Sequence, residues 1–351
     1  MKRTAVIMAG GSGKRFWPLS REKRAKQSLT LFSEKTLLAE TIERVLPLVD
    51  DVLVVSAQSQ SEAIDPDVAA CPQARVIYEP CGRNTAPCIM LALREILTKS
   101  GGEERAVVVL PADHRIAECG KFRDILNKSL IFLENHPDSI GTVGITPTHP
   151  ETGFGYIKMS EVLEEGVFRV ASFEEKPDLE TASRFLKSGS YLWNSGMFLF
   201  TLNSMLDEFK RSAEDIYQQI STVTNFGPGE IRDYDKVRSI SFDYAIMEKT
   251  ERAIFVLPGS FGWSDVGSWL AFFDLQKKDE NNNVGIGRVS LINCRNSLVF
   301  NQTDRDLVLF NRDGELIVAT DDVMFAASLD DYSKMREVTE FLKSSGATRL
   351  L

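Results

Sequence analysis

The chain has 351 residues, 43% of them hydrophobic, enough for one large domain, or one large and one small, with a buried core. A formal net charge of −9 excludes a broad nucleic-acid surface but leaves room for a local basic site. No run of about 18 apolar residues occurs, so no membrane span is expected.

Residues 1–16 start basic, but their apolar run is too short for a signal peptide, and 5–8 read as a first strand. The five cysteines form no CxxC pair and read as reduced thiols of a cytoplasmic protein. Leu38, Ile42, Val45 and Leu46 repeat at helical spacing; 52–55 and 76–78 read as strands. Ile89, Ala92, Leu93, Ile96 and Leu97 form one face of a second helix. An apolar strand at 106–110 follows, then a third helix marked by Phe122, Ile125, Leu126, Leu130 and Leu133, and a strand at 139–145. This alternation predicts an α/β, Rossmann-like fold with a mostly parallel mixed sheet covered on both faces. Residues 156–200 read as less regular, with short strands. Short alternating strands at 288–293, 297–300, 306–310 and 315–320 predict a small β-rich domain closed by a helix at 330–344. The expected division is 1–280 and 281–351.

Ligands of such sheets bind beyond the carboxyl ends of the strands, so the loops there carry the argument. The first is Gly10-Gly11-Ser12-Gly13-Lys14-Arg15-Phe16, where bare backbone N–H groups and two cations suit a phosphate. It is not a Walker A loop, because Arg15 stands where Ser or Thr is needed, nor a dinucleotide fingerprint, because Phe16 replaces the third glycine. Arg21, Lys23, Arg24 and Lys26 add charge and point to a polyphosphate; the competing reading is a glycine turn with a solvated charged loop. Asp113 ends the 106–110 strand as a Mg²⁺ ligand or a helix cap. Asp265, between two glycines and two tryptophans, reads as a second metal carboxylate or as part of a packed turn.

Glu175-Lys176 could bind hydroxyls and a phosphate together, or form an exposed charged turn. Asn194 offers a donor and an acceptor to hydroxyls, or is a satisfied buried amide. Gly82, Asn84 and Thr85 precede the second helix as a recognition segment or as its cap. Gly155 lies in a glycine-aromatic turn that makes room for a ring, or in a β-bulge. The three histidines lack zinc-ligand spacing, and no nucleophile elbow is present. Phosphate positioning with metal assistance fits better than covalent catalysis.

In this order, these segments resemble the mannose-1-phosphate guanylyltransferase family, from about Ile7 to Trp269 and more weakly beyond. The resemblance implies a nucleotide-diphospho-sugar transferase fold and a short C-terminal domain related to a left-handed β-helix. It implies transfer from GTP to mannose 1-phosphate with Mg²⁺, giving GDP-mannose and pyrophosphate. Gly10, Gly11, Ser12, Gly13, Lys14 and Arg15 would cradle the GTP phosphates, with Arg15 on the departing pyrophosphate and Lys26 also on the phosphates. Gly82, Asn84 and Thr85 would recognise guanine; Asp113 and Asp265 would hold Mg²⁺, Asp113 beside the nucleotide. Gly155, Glu175 and Asn194 would contact the sugar and Lys176 its phosphate.

Two residues depart from the family pattern: Ala25 replaces the usual Pro before Lys26-Gln27, and Phe16 stands where Leu is commoner. Freeing φ at Ala25 predicts a looser loop. The additional isomerase domain of longer relatives is missing, so no isomerase activity is expected. Two rivals stay open: the same transfer with another sugar 1-phosphate or base, and a non-catalytic GDP-sugar-binding regulatory subunit. The β-rich domain would be the contact surface of a homodimer. Partners would be small molecules, with neither nucleic acid nor membrane involved.

Overall fold

The computed structural model describes residues 1–11, 13–227 and 229–351. Its contacts separate into two compact units: Met1–Gly10 with Leu38–Trp263, and Gly11–Leu37 with Ser264–Leu351. The first holds strands β1 (Lys2–Ala9), β2 (Asp51–Ala57), β3 (Ala74–Glu79), β4 (Arg105–Pro111), β5 (Arg115–Ile116), β6 (Ile140–Ile145), β7 (Tyr156–Glu164), β8 (Val167–Glu174), β9 (Tyr191–Thr201) and β10 (Ile254–Gly259). Helices α1 (Leu37–Val45), α2 (Ser61–Ala69), α3 (Thr85–Ser100), α4 (Cys119–Asn135), α5 (Leu179–Ser188), α6 (Leu202–Ser212) and α7 (Glu214–Ser221) alternate with them.

Nine strands form one sheet in the order β3-β2-β1-β4-β9-β6-β10-β8-β7. Their unbroken apolar runs follow from burial on both faces. Ala5, Ile7 and Ala9 of β1 enter one core with Val52, Val54, Val108 and Leu110, while Val6 enters the other with Leu53, Val55, Val107 and Val109. The sheet is more mixed than expected. β1 to β4 pair in parallel, as do β6 and β10, but β9 runs antiparallel between β4 and β6, and β7–β8 form an antiparallel hairpin. The stretch expected to be irregular is made of these longer strands, whose pairing carries register shifts in β7–β8 and β6–β9 that break the two-residue alternation.

The second unit contains β12 (Val284–Ile286), β13 (Val289–Ile292), β14 (Leu298–Asn301), β15 (Leu307–Phe310), β16 (Glu315–Ala319) and β17 (Met324–Ser328), after a short β11 (Trp263–Ser264) at the junction of the chain segments. β12, β14 and β16 stack in parallel, β17 closes antiparallel, and β13 pairs in parallel with β15. The boundary expected at 280/281 does not coincide with the division by contacts. Phe16, Trp17, Leu19, Leu29 and Leu31 bury against Trp269, Phe272, Leu298, Phe300 and Val318 in one core. Trp269 Nε1 donates to Trp17 O at 3.1 Å, and the rings of Phe16 and Trp269 lie 5.0 Å apart. Helix α8 (Trp269–Leu275) therefore belongs here, as does α9 (Met335–Ser344), which follows a 3-10 turn over Leu329–Lys334 where the sequence suggested one helix. No helix among the described residues is long and apolar enough to cross a membrane.

Candidate active site

In the second unit, the glycine loop closes on the segment holding Lys26. Gly13 has φ 56°, and a Cβ there would meet Lys26 N at 2.5 Å, so only glycine fits. Ser20 Oγ donates to Gly13 O at 2.7 Å, and the 3-10 turn Lys14–Phe16 buries Phe16 while leaving Lys14 and Arg15 exposed. Buried Lys26 donates through Nζ to the carbonyl oxygen of Asp265. Gly267 locates two more groups: a Cβ there would lie 2.8 Å from Asp265 Oδ2 and 3.2 Å from Arg15 Nη1. Arg15, Lys26 and Asp265, far apart in sequence, are thus brought together.

Val266, buried next to Asp265, holds φ 45°, a strained conformation for a β-branched residue that its packed surroundings must enforce. The cations of residues 14–26 do not act alike. Arg21 pairs with Asp322 at 3.0 Å and donates to Leu350 O, which makes it a structural tie. Gly10 and Gly11 each have open space where a Cβ would stand, as an approaching phosphate requires. Ser12 lies outside the described residues.

In the first unit, Asp113 is half-buried in the turn after β4. That turn is held by Ala112 N donating to Met8 O at 3.1 Å and by Thr41 Oγ1 donating to Ala112 O at 3.2 Å. The next residue, His114, accepts from Trp263 Nε1 at 3.1 Å, and Trp263 packs edge-on against Phe154.

Gly155, Glu175, Lys176 and Asn194 converge. Asn194 N donates to Gly155 O at 2.8 Å, and a Cβ on Gly155 would stand 2.4 Å from Glu175 Oε2 and 3.4 Å from Asn194 Cβ. Lys176 Nζ reaches Glu175 Oε1 at 2.8 Å, and this carboxylate holds the ammonium above the usual lysine range. Asn194 sits where the β6–β9 register shifts, a bulge that re-aims a side chain. Its Nδ2 donates to Asp243 Oδ1 at 2.7 Å, and its Oδ1 accepts from Gly196 N at 3.1 Å. Asp243 opens a π-helical turn, Asp243–Met247, and was not picked out from the sequence. A π-turn interrupts helical spacing and leaves no periodic trace to read.

At the third cluster, Asn84 has φ 67° and accepts from Thr85 N at 2.8 Å, capping α3. Thr85 Oγ1 accepts from Phe242 N at 2.8 Å. The capping reading is therefore realised at Asn84, while the hydroxyl of Thr85 ties the α3 N-terminus to Phe242. Buried Glu79, at the end of β3, accepts from Tyr234 Oη, and burial pushes its pKa up to about 7.

A family model described as nucleotidyl transferase matches residues 4–282. The mannose-1-phosphate guanylyltransferase of Salmonella muenchen is 37% identical over 358 residues, covering 98% of this chain and 74% of its own length. The chain belongs to the mannose-1-phosphate guanylyltransferase family. It is thus a nucleotidyltransferase, and the family recognised from its motifs is the one found. An alginate biosynthesis protein, AlgA of Pseudomonas putida, is 36% identical, covering 98% of this chain and 72% of its own length. Among solved structures, one described as mannose-1-phosphate geranyltransferase from Thermus thermophilus superposes with a TM-score of 0.86 at 33% identity, covering 98% of this chain and all of that one. A UDP-glucose pyrophosphorylase complexed with UDP-glucose, at 17% identity and a TM-score of 0.54, covering 78% of this chain and 97% of its own, shares the fold.

Proposed function

We propose that this chain transfers the guanylyl group of GTP to mannose 1-phosphate, yielding GDP-mannose and pyrophosphate. A phosphate oxygen of the sugar phosphate attacks the α-phosphorus, and the bond to the β-phosphate breaks as pyrophosphate leaves. The attacking oxygen is already anionic, so no general base is needed; the barrier is the approach of two anions. Arg15 and Lys26 stand at the triphosphate and Lys176 at the sugar phosphate, where each offsets that repulsion. Gly155, Glu175 and Asn194 orient the sugar, and Gly82 with the Asn84-capped start of α3 receives the base. The convergence of Gly155, Glu175, Lys176 and Asn194 is the observation that carries the reading, because it joins hydroxyl-binding groups to a cation in one place.

Asp113 and Asp265 are the residues that would hold Mg²⁺, which supplies charge neutralisation at the phosphates when bound. Both are half-buried carboxylates. No group of three or more His, Cys, Asp or Glu gathers as a metal site among the described residues. This suits an ion bound through one or two carboxylates plus substrate phosphates. The stacked parallel pairs β12–β14–β16 and β13–β15 support reading the β-rich segment as related to a left-handed β-helix.

Pyrophosphate release with GTP, Mg²⁺ and mannose 1-phosphate tests the reading, with glucose 1-phosphate, ATP and dTTP as controls. Release confined to GTP and mannose 1-phosphate is expected. Release with a different pair overturns the substrate, and no release from folded protein that binds GDP-mannose overturns catalysis.

A further inference from the structure

Asn194 can read a sugar only if its amide is held one way round. A carboxamide has two N–H donors and two carbonyl lone pairs. Here one N–H is taken by Asp243 Oδ1 at 2.7 Å, and one lone pair by Gly196 N at 3.1 Å. By these two contacts the amide keeps one N–H and one lone pair to offer to hydroxyls. The two retaining contacts are not equal. Gly196 N is a neutral backbone donor, whereas a carboxylate acceptor makes a stronger, charge-assisted bond that tolerates only the N–H face. Burial favours the neutral form of Asp243, and the bond from Asn194 opposes it.

Asp243 is itself fixed from the nucleobase side. The residue before it, Phe242, is fully buried and donates its backbone N–H to Thr85 Oγ1 at 2.8 Å, while Ala86 N donates to Ile240 O at 3.2 Å. The start of α3 and the segment 240–243 are therefore sewn together by two hydrogen bonds. Past Asp243, the exposed Tyr244 lines the same open cleft as Glu175.

We propose that Asp243 is a positioning residue of the sugar site, orienting the Asn194 amide toward hydroxyls of the bound hexose and anchoring it to the α3 N-terminus through Phe242 and Thr85. The proposal rests on the sugar reading given above. Asp243 does not touch the reacting atoms, so its loss acts on sugar recognition and leaves nucleotide recognition alone.

Calorimetric binding of GDP-mannose and of GDP to the full chain tests this. Asp243→Ala weakens GDP-mannose about tenfold, ~1.4 kcal/mol, and leaves GDP within about twofold. Asp243→Asn keeps an acceptor oxygen and restores most of the lost affinity. In the double variant with Asn194→Ala, Asp243→Ala adds no further loss, because both substitutions remove one interaction. Unchanged GDP-mannose affinity in Asp243→Ala, an equal loss for GDP, or additive losses in the double variant overturns the proposal. Should Asp243→Ala fail to fold, Asp243→Ser, too short to reach Asn194, carries the same expectation. The unsubstituted protein separates the two claims. If it does not bind GDP-mannose, the substrate reading falls, and the same variants are compared on whichever of UDP-glucose, ADP-glucose or dTDP-glucose it binds.

Discussion

Tyr234 donates its phenolic hydrogen to the carboxyl group of Glu79, and both side chains are buried. Burial raises the Glu79 pKa from 4.5 to about 7, against the opposing effect of the tyrosine bond. The folded protein therefore binds more protons than the unfolded chain between these two values, and stability falls as pH rises across that window. The contribution is full below the unfolded value and lost above about 7, with an upper size of roughly 3 kcal/mol. Urea midpoints measured from about pH 5 to 8 should fall in the unsubstituted protein and fall less in Glu79→Gln. Identical slopes would show that Glu79 is not the titrating group.

Gly155→Ala should separate binding from stability. The new Cβ collides at 2.4 Å with Glu175 Oε2, the end of a flexible side chain that can swing away. The cost to folding lies at the low end of the ~1–3 kcal/mol typical of an added methyl, but Glu175 leaves its place. Steady-state kinetics should show a KM for mannose 1-phosphate raised about tenfold, with the KM for GTP unchanged. Equal changes in both would remove Gly155 and Glu175 from the sugar site.

Ala25→Pro should stabilise the protein. Ala25 already holds φ −78° with ψ 175°, within the range of proline. The expected gain is about 0.4–1 kcal/mol, arising in the unfolded chain. A thermal midpoint lowered by this substitution would mean that the amide of Ala25 has a role the backbone angles do not reveal.

Asp113→Ala and Asp265→Ala should each lower Mg²⁺-dependent turnover by about 10²–10³, the loss typical of one charge-stabilising group. The Lys26 contact survives Asp265→Ala because it uses the backbone carbonyl. Circular dichroism should therefore show a folded protein in both cases. Near-normal turnover by either folded variant would exclude that carboxylate from the reaction.

The motifs and most of the central strands were legible because they are local. An unbroken apolar run such as 106–110 has little choice but a strand buried on both faces, and glycine next to cations is informative wherever it lies. Three things were not legible. The packing of Phe16 and Trp17 on Trp269 joins residues too far apart for any period to reveal. Asp243 lies in Ser-Phe-Asp-Tyr, with no spacing that marks a site; only the Asn194 bond does. The dual nature of Asn84 and Thr85, as cap and as anchor, depends on Phe242, a partner from a distant segment.

The division of the chain into interleaved segments orders its own synthesis. The loop from Gly11 to Leu37 leaves the ribosome early, but the residues that bury its Phe16 and Trp17 are translated only after all of Leu38–Trp263 has been made. Until then two large aromatic side chains wait beside a cluster of cations with no core of their own. The nascent protein thus cannot assemble this glycine loop piecemeal: the first motif to be made is among the last to be completed.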